Sequence, residues 1–230
     1  MTKKYSLTTN TKCIGETVLY QIKCEYTFGA VLKGELGGWI EKEGNLSQEG
    51  NAWISGDARV YGNARVYGDA WISGNAWVSG NAWVYGNTRV YGNARVYGDA
   101  SVSGNAWVSG NAWVSGDARV YGNTSVSGNA WVYGNAWVYG NASVSGNAWV
   151  YGDARVSGNA SVSGNAWVYG NAWVYGDASV SGNAWVSGNA RVSGDARVCC
   201  RHVFTTTKAV EMFVKYDKAI HELMEKMQYE

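Results

Sequence analysis

The chain has 230 residues, with 31 Gly, 13 Trp, 16 Tyr and no Pro. Average chains hold about 7 % Gly and about 5 % Pro, so this excess of Gly with no Pro excludes a collagen or a Pro-rich linker. The 19 basic residues balance the 18 acidic ones, which excludes a strongly basic nucleic-acid-binding domain and an acidic solvating tail.

Residues 1–50 carry no repeat. The opening Met1-Thr-Lys-Lys-Tyr5-Ser-Leu-Thr8 lacks the apolar core of a secretory signal. No apolar run reaches the roughly 18 residues that cross a bilayer. The four cysteines, Cys13, Cys24, Cys199 and Cys200, lack metal-site spacing. The expectation is a reduced, cytoplasmic chain without membrane contact. Thr17 to Phe28 is rich in aromatic and β-branched residues and predicts a strand. Ile40 and Leu46 lie six apart, whereas Leu46 and Ile54 lie eight apart, so an irregular first coil is expected there.

From Gly50 to Val198 the chain reads Gly-(Asn/Asp)-Ala-X-Val-(Ser/Tyr) without insertion. The aliphatic position recurs every six residues from Ile54 to Val198, giving 25 hexads. The Ala position is broken only by Thr88 and Thr124. Ala and Val are two apart and face one side of an extended segment; X and Ser/Tyr face the other. Gly with Asn or Asp supplies turn residues that tolerate left-handed angles. Each hexad therefore predicts a short strand and a turn. A meander of hairpins would leave its Val/Ala face bare, because no second layer exists to cover it. A coil of three hexads, 18 residues per turn, closes on that face instead. Its open strand edges require caps at both ends.

Read from the aliphatic residue, Val78-Ser79-Gly80-Asn81-Ala82-Trp83 resembles the hexapeptide repeat of left-handed parallel β-helices. The resemblance covers about 150 residues and implies a left-handed winding, against the right-handed rule for parallel crossovers. The fold expected is all-β: a left-handed parallel β-helix solenoid of about eight 18-residue coils. An N-terminal β cap over 1–50 precedes the solenoid over 51–198, and a C-terminal helical segment over 199–230 follows it. The lead-in from Gly37-Gly38-Trp39-Ile40 to Asn51-Ala52-Trp53 is similar to the N-terminal cap of uncharacterised bacterial and phage hexapeptide-repeat proteins. That likeness suggests a phage- or mobile-element-encoded protein directed at a host factor.

In the C-terminal segment Phe213, Tyr216, Ile220, Leu223 and Met227 are spaced 3, 4, 3, 4. This predicts an amphipathic helix. It serves either as a lid on the last coil or as an oligomerisation helix giving a dimer or trimer. Enzymes of the family that the chain resembles are usually trimers.

Residues 18 apart stack into three outward columns. The first holds Trp53, Trp71, Arg89, Trp107, then Ser125, Ser143, Ser161, Ser179 and Arg197. The second holds Arg59, Trp77, Arg95 and five consecutive tryptophans, Trp113, Trp131, Trp149, Trp167 and Trp185, with Tyr133, Tyr151 and Tyr169 beside them. The third alternates Arg65, Trp83, Ser101, Arg119, Trp137, Arg155, Trp173 and Arg191, with Tyr85, Tyr139 and Tyr175 alongside. Like side chains stacked on parallel strands stabilise a solenoid by themselves. So many outward aromatics also exceed the few hundred Å² of apolar patch that a monomer normally exposes. Both readings stand at this point: a structural ladder or a binding face. The candidate binding residues are Trp113, Trp131, Trp149, Trp167, Trp185, Tyr133, Tyr151, Tyr169, Arg119, Trp137, Arg155 and Trp173. The partner expected is a protein or a glycan. Nucleic acid is disfavoured, because eight Arg against seven Asp in the hexads leave too little charge for phosphates. The Ser-Val-Ser triplets lack the methyl groups that an ice-binding face needs.

Acyl transfer on the resembled fold implies a catalytic His in a coil and an extruded cofactor loop, and neither is present. The histidines are His202 and His221, both beyond the hexads. A Cys199/Cys200–His202 nucleophile pair lacks an orienting third residue. Two histidines cannot supply a zinc set, no phosphate-binding Gly loop occurs, and the seven Asp occupy turn positions. No catalytic residue, metal or cofactor is therefore assigned. The function expected is a non-enzymatic binding or scaffold protein. The alternatives are an acyltransferase-like enzyme using the C-terminal segment and a self-assembling structural rod.

Overall fold

The computed structural model describes residues 2–199 and 203–216. It is a parallel β-solenoid of about nine turns, with antiparallel strands at its N-terminal end and a helix at its C-terminal end. Each hexad contributes a rung of two residues, such as Trp131–Val132. Rungs 18 residues apart pair in parallel and in register, as in Trp113↔Trp131 with Val114↔Val132. Three sheets of 12, 9 and 8 strands form the three sides. The Val and Ala positions point inward, and from Val84 to Val192 both are fully buried or nearly so. Such a narrow interior admits only small side chains, which is why the hexads alternate Ala and Val so strictly.

The turn glycines meet two constraints at once. Gly104 has φ +73°, a conformation costly for any residue with a Cβ. A Cβ there would also lie 2.8 Å from the backbone nitrogen of Gly122 in the next coil. Gly over Gly is therefore required by the close approach of successive corners as well as by φ. The Asn beside each Gly adds a second ladder. Asn129 Nδ2 donates to Asn147 Oδ1 at 2.9 Å, Asn147 to Asn165 at 2.9 Å, and Asn165 to Asn183 at 3.1 Å. An ionised Asp accepts but cannot donate onward, so Asp99, which accepts from Asn81 at 2.8 Å, ends its run in that direction.

The turn count exceeds the expected eight because both ends add rungs. At the start, β1 (Tyr5–Ile14) and β2 (Thr17–Cys24) form an antiparallel hairpin. β2 pairs antiparallel with β3 (Leu36–Ile40), and β3 pairs parallel with the rung at Arg59–Val60. The parallel sheet is thus closed off by an antiparallel hairpin. The strand expected over Thr17 to Phe28 ends at Cys24, and Phe28 bridges to Val31. Strand β1 was not anticipated, because its Thr- and Ser-rich run shows little apolar alternation.

Lys4, fully buried, is the keystone of this cap. Its ammonium donates to the carbonyls of Glu49, Gly50 and Ala52 at 3.3, 3.3 and 3.0 Å. The three donors of a lysine thereby satisfy carbonyls at the start of the coil. The Tyr5 hydroxyl lies 2.7 Å from the Leu46 carbonyl and 2.9 Å from that of Glu43. Asn45 Nδ2 donates to the carbonyls of Gly62 and Ala64 at 3.1 and 2.9 Å. Polar side chains here replace the missing strand below the first coil.

At the other end, the rung Val203–Phe204 pairs parallel with Trp185–Val186. The helix over 207–216 lays Val210, Ala209, Phe213 and Val214 against the last coil, with Phe213 edge-on to Phe204 at 5.2 Å. Tyr216, expected on its apolar stripe, is exposed. Ile220, Leu223 and Met227, the rest of the expected stripe, lie outside the described residues. No helix among the described residues is long and apolar enough to cross a membrane.

Two predictions follow from the ends and the corners. Gly104→Ala lowers stability by about 2 kcal/mol or more through strain and backbone collision. Gly194→Ala has φ +61° but open space around its Cβ, and costs only the about 1–2 kcal/mol of a left-handed residue; thermal melts of the two variants check the ranking. Burial lowers the Lys4 pKa to about 8, against the raising influence of Cys24 and Asp69. Its unfolded pKa is near 10.5, so the unfolded chain holds the extra proton between the two values and stability gains with pH across that window. The stability of the wild type relative to Lys4→Met therefore rises from pH 8 to pH 10 in denaturant titrations.

Candidate functional site

Because small and aliphatic side chains, mostly Val and Ala, fill the coil interior, the aromatic and charged side chains of the hexads, Trp53 apart, lie outside, and the in-register pairing stacks them. In the second face the rings of Trp113, Trp131, Trp149, Trp167 and Trp185 lie 4.5, 5.0, 5.0 and 5.1 Å apart in sequence. Their planes deviate by no more than 11°. Strand spacing of about 4.8 Å sets that separation. The inner four are half-buried by each other, while Trp185 at the column end is 41 % exposed. Arg95 starts the column, its guanidinium 4.8 Å from the Trp113 ring and 5.0 Å from Trp77.

The tyrosines form a parallel file. Tyr133, Tyr151 and Tyr169 stack at 4.9 and 5.0 Å. Two of them set their rings edge-on to the tryptophan of the following coil rather than to that of their own rung: Tyr133 to Trp149 at 6.2 Å and Tyr151 to Trp167 at 6.3 Å. Burial pushes the Tyr133 and Tyr151 phenols above their usual pKa, and the flanking Tyr133 and Tyr169 phenols add to this for Tyr151. These phenols stay protonated donors at neutral pH. The eight aromatic candidates of this face thus form one continuous aromatic wall.

In the third face Trp137 is sandwiched between Arg119 at 5.0 Å and Arg155 at 5.4 Å. The quadrupole of the indole attracts a cation on each side. Trp173 departs from the alternation. Its Nε1–H donates to Ser157 Oγ at 3.0 Å, and its ring tilts 39° against Tyr175 at 4.6 Å. Arg191 lies 5.9 Å from the same ring. The structure therefore brings the second-face candidates together as one wall and the third-face candidates as a separate mixed column.

The first face is broken into parts. Trp53 belongs to the core and not to the surface: it is fully buried beneath the cap, edge-on to Phe28 at 5.6 Å. The connection between β2 and β3, which carries Phe28, folds over this corner, which the repeat pattern alone could not show. The Trp53 Nε1–H finds no acceptor among the described residues. Beyond Trp107 the serines pair in register from Ser125 to Ser179. Cys199 sits partly exposed at the end of the last rung, while Cys200, Arg201, His202 and His221 lie outside the described residues.

A coil of six-residue repeats with no inserted loop, carrying its chemistry in outward stacks, defines a β-solenoid repeat protein with surface aromatic ladders. The YdcK beta solenoid repeat matches twelve segments, from 52–68, 58–74 and 70–86 through 88–104 and 160–176 to 184–199. These span most of the hexads, and the chain belongs to the YdcK β-solenoid repeat family. No curated protein matches it.

Arg95 touches two indoles, so Arg95→Gln lowers stability by about 1 kcal/mol. Arg197→Gln, which has no such ring contact among the described residues, leaves stability unchanged within about 0.5 kcal/mol; urea titration of both variants checks this.

Proposed function

We propose that the protein is a non-enzymatic binding or scaffold β-solenoid that presents its aromatic wall to a protein or glycan partner. The observation that carries this reading is the continuous stack from Trp113 to Trp185 with the Tyr133–Tyr169 file beside it. Aromatic rings concentrate binding energy because they bury large area at little cost in side-chain entropy. The wall is also rigid, since each ring is held by its neighbours and by the backbone ladder beneath. A partner pays little for its ordering. Arg119, Trp137, Arg155 and Trp173 extend the same chemistry around the corner. In line with its resemblance to hexapeptide-repeat β-helices, we take the coil to wind left-handed and the chain to be a host-directed protein of a phage or mobile element.

The rod alternative has less physical support. The hairpin β1–β2 ends the 12-stranded sheet in an antiparallel edge that does not continue the parallel coil, and the helix over 207–216 packs on the last coil, so neither end presents the open rung that another coil would extend. An acyltransferase-like enzyme would use the segment around His202, and activity lost in His202→Ala would favour it.

Replacing Trp131, Trp149 and Trp167 with Ser abolishes capture of the partner from host extract while the far-ultraviolet circular dichroism stays that of the wild type. The Ser column at Ser125 to Ser179 already shows that the coil carries serine at this rung position. Capture that survives the triple substitution would reduce the wall to a structural ladder.

A further inference from the structure

The third face has one full break. Its outward pairs run Trp83/Tyr85, Ser101/Ser103 and Arg119/Tyr121 on successive coils. The hexad Gly98-Asp99-Ala100-Ser101-Val102-Ser103 is the one hexad of this face with serine at both outward positions. Stacked rings elsewhere step by 4.5 to 5.2 Å per coil. A missing rung therefore leaves its flanking groups two steps apart, the height that one ring fills.

The walls of this gap turn away from it. Tyr85 stacks on Tyr67 at 4.9 Å and Trp83 holds Arg65 at 5.9 Å, both on the side away from the gap. Tyr121 stacks on Tyr139 at 5.2 Å, and Arg119 lies over Trp137. The faces of Trp83 and Tyr85 toward the serines are left uncovered, and Trp83 is 46 % exposed. The result is an open cleft of about 590 Å³, lined in part by Asn81, Asp99 and both serines. Small-molecule sites fall at roughly 300–1,000 Å³.

A partial break on the same face behaves differently. At Ser157 only the tyrosine is missing, and Trp173 leans in and bonds the serine hydroxyl. At Ser101 and Ser103 no neighbouring side chain does so. Neither hydroxyl has a hydrogen-bond partner among the described residues, although Ser103 is nearly buried.

We propose that this cleft binds a single pyranose ring of a glycan. The apolar C–H face of the sugar lies on the exposed face of Trp83, and its edge hydroxyls meet Ser101, Ser103, Asp99 and Arg119. An aromatic side chain of a protein partner has the right thickness but would strand the two serine hydroxyls, at about 1–3 kcal/mol for each. A polyhydroxylated ring satisfies them. The Asp99 carboxylate, which can only accept when ionised, suits sugar hydroxyls and repels an anionic ring. This proposal rests on the same reading of outward rings as a docking surface, but on a different face from the tryptophan wall.

The test uses the full-length ¹⁵N-labelled chain, with the Trp83 indole resonance assigned by its loss in Trp83→Phe. The probes are the methyl glycosides of glucose, mannose and galactose and free N-acetylglucosamine, with N-acetyltryptophanamide as the aromatic comparison. The filled variant, Ser101→Trp with Ser103→Tyr, supplies the missing rung in the manner of the neighbouring coils and so retains the fold. The expected result is a Trp83 shift with at least one sugar, at millimolar affinity, weakened about tenfold or more in the filled variant. A shift with N-acetyltryptophanamide alone, a sugar shift that survives filling, or no shift with any probe overturns the proposal. The Trp131/Trp149/Trp167 serine variant separates the two readings: it loses the wall but keeps the Trp83 response.

Discussion

Each residue of the coil sits on the residue 18 positions later, and the backbone holds it there. The Trp131 amide donates to the Ala148 carbonyl at 2.9 Å and the Tyr133 amide to the Val150 carbonyl at 3.0 Å. The same pattern recurs from the first full coil to the last. The remaining features depend on this register. It places Gly on Gly at corners too tight for a Cβ, Asn on Asn where an amide can both donate and accept, and Val on Val inside. A shift of one residue would turn every Val outward.

The same register frees the surface. With the interior closed by Val and Ala, most of the outward X and Ser/Tyr positions are released from core packing, and whatever residues stand there are stacked into a column. A column of like rings stacks, a column of alternating Arg and Trp forms cation–π sandwiches, and a column of Ser leaves a shelf. Function on such a fold is a matter of which columns are written and where they are interrupted. The wall from Trp113 to Trp185 and the gap at Ser101/Ser103 are the two extremes of that scheme.

Much of this was legible in the residues. The six-residue period, the inward Val/Ala pair and the membership of all three columns were read from the chain and appear in the pairing of Trp113↔Trp131 and Arg119↔Trp137. The five-tryptophan stack was legible for the same reason, since a fixed period converts position directly into height. The ends were not legible. Lys4 and Tyr5 gave no periodic sign of being buried, because their burial comes from long-range contacts with residues 43–52. Trp53 fits the outward pattern and is nevertheless covered, because the cap folds back over it. The cleft has one sign in the residues, a hexad with serine at both outward positions between Trp83/Tyr85 and Arg119/Tyr121.

The sequence by itself determined the class of fold, the span of the repeat and which side chains share a column. Those follow from local geometry repeated without insertion, where neighbours in space are fixed multiples of the period. Only the tertiary structure decided which edge each ring presents, as in Tyr133 turning to Trp149 rather than to Trp131 and Trp173 leaving Arg155 for Ser157. It also decided what the cap buries and where a missing rung stays open. These are choices among rotamers and non-repeating contacts, and the period of a sequence carries no information about them.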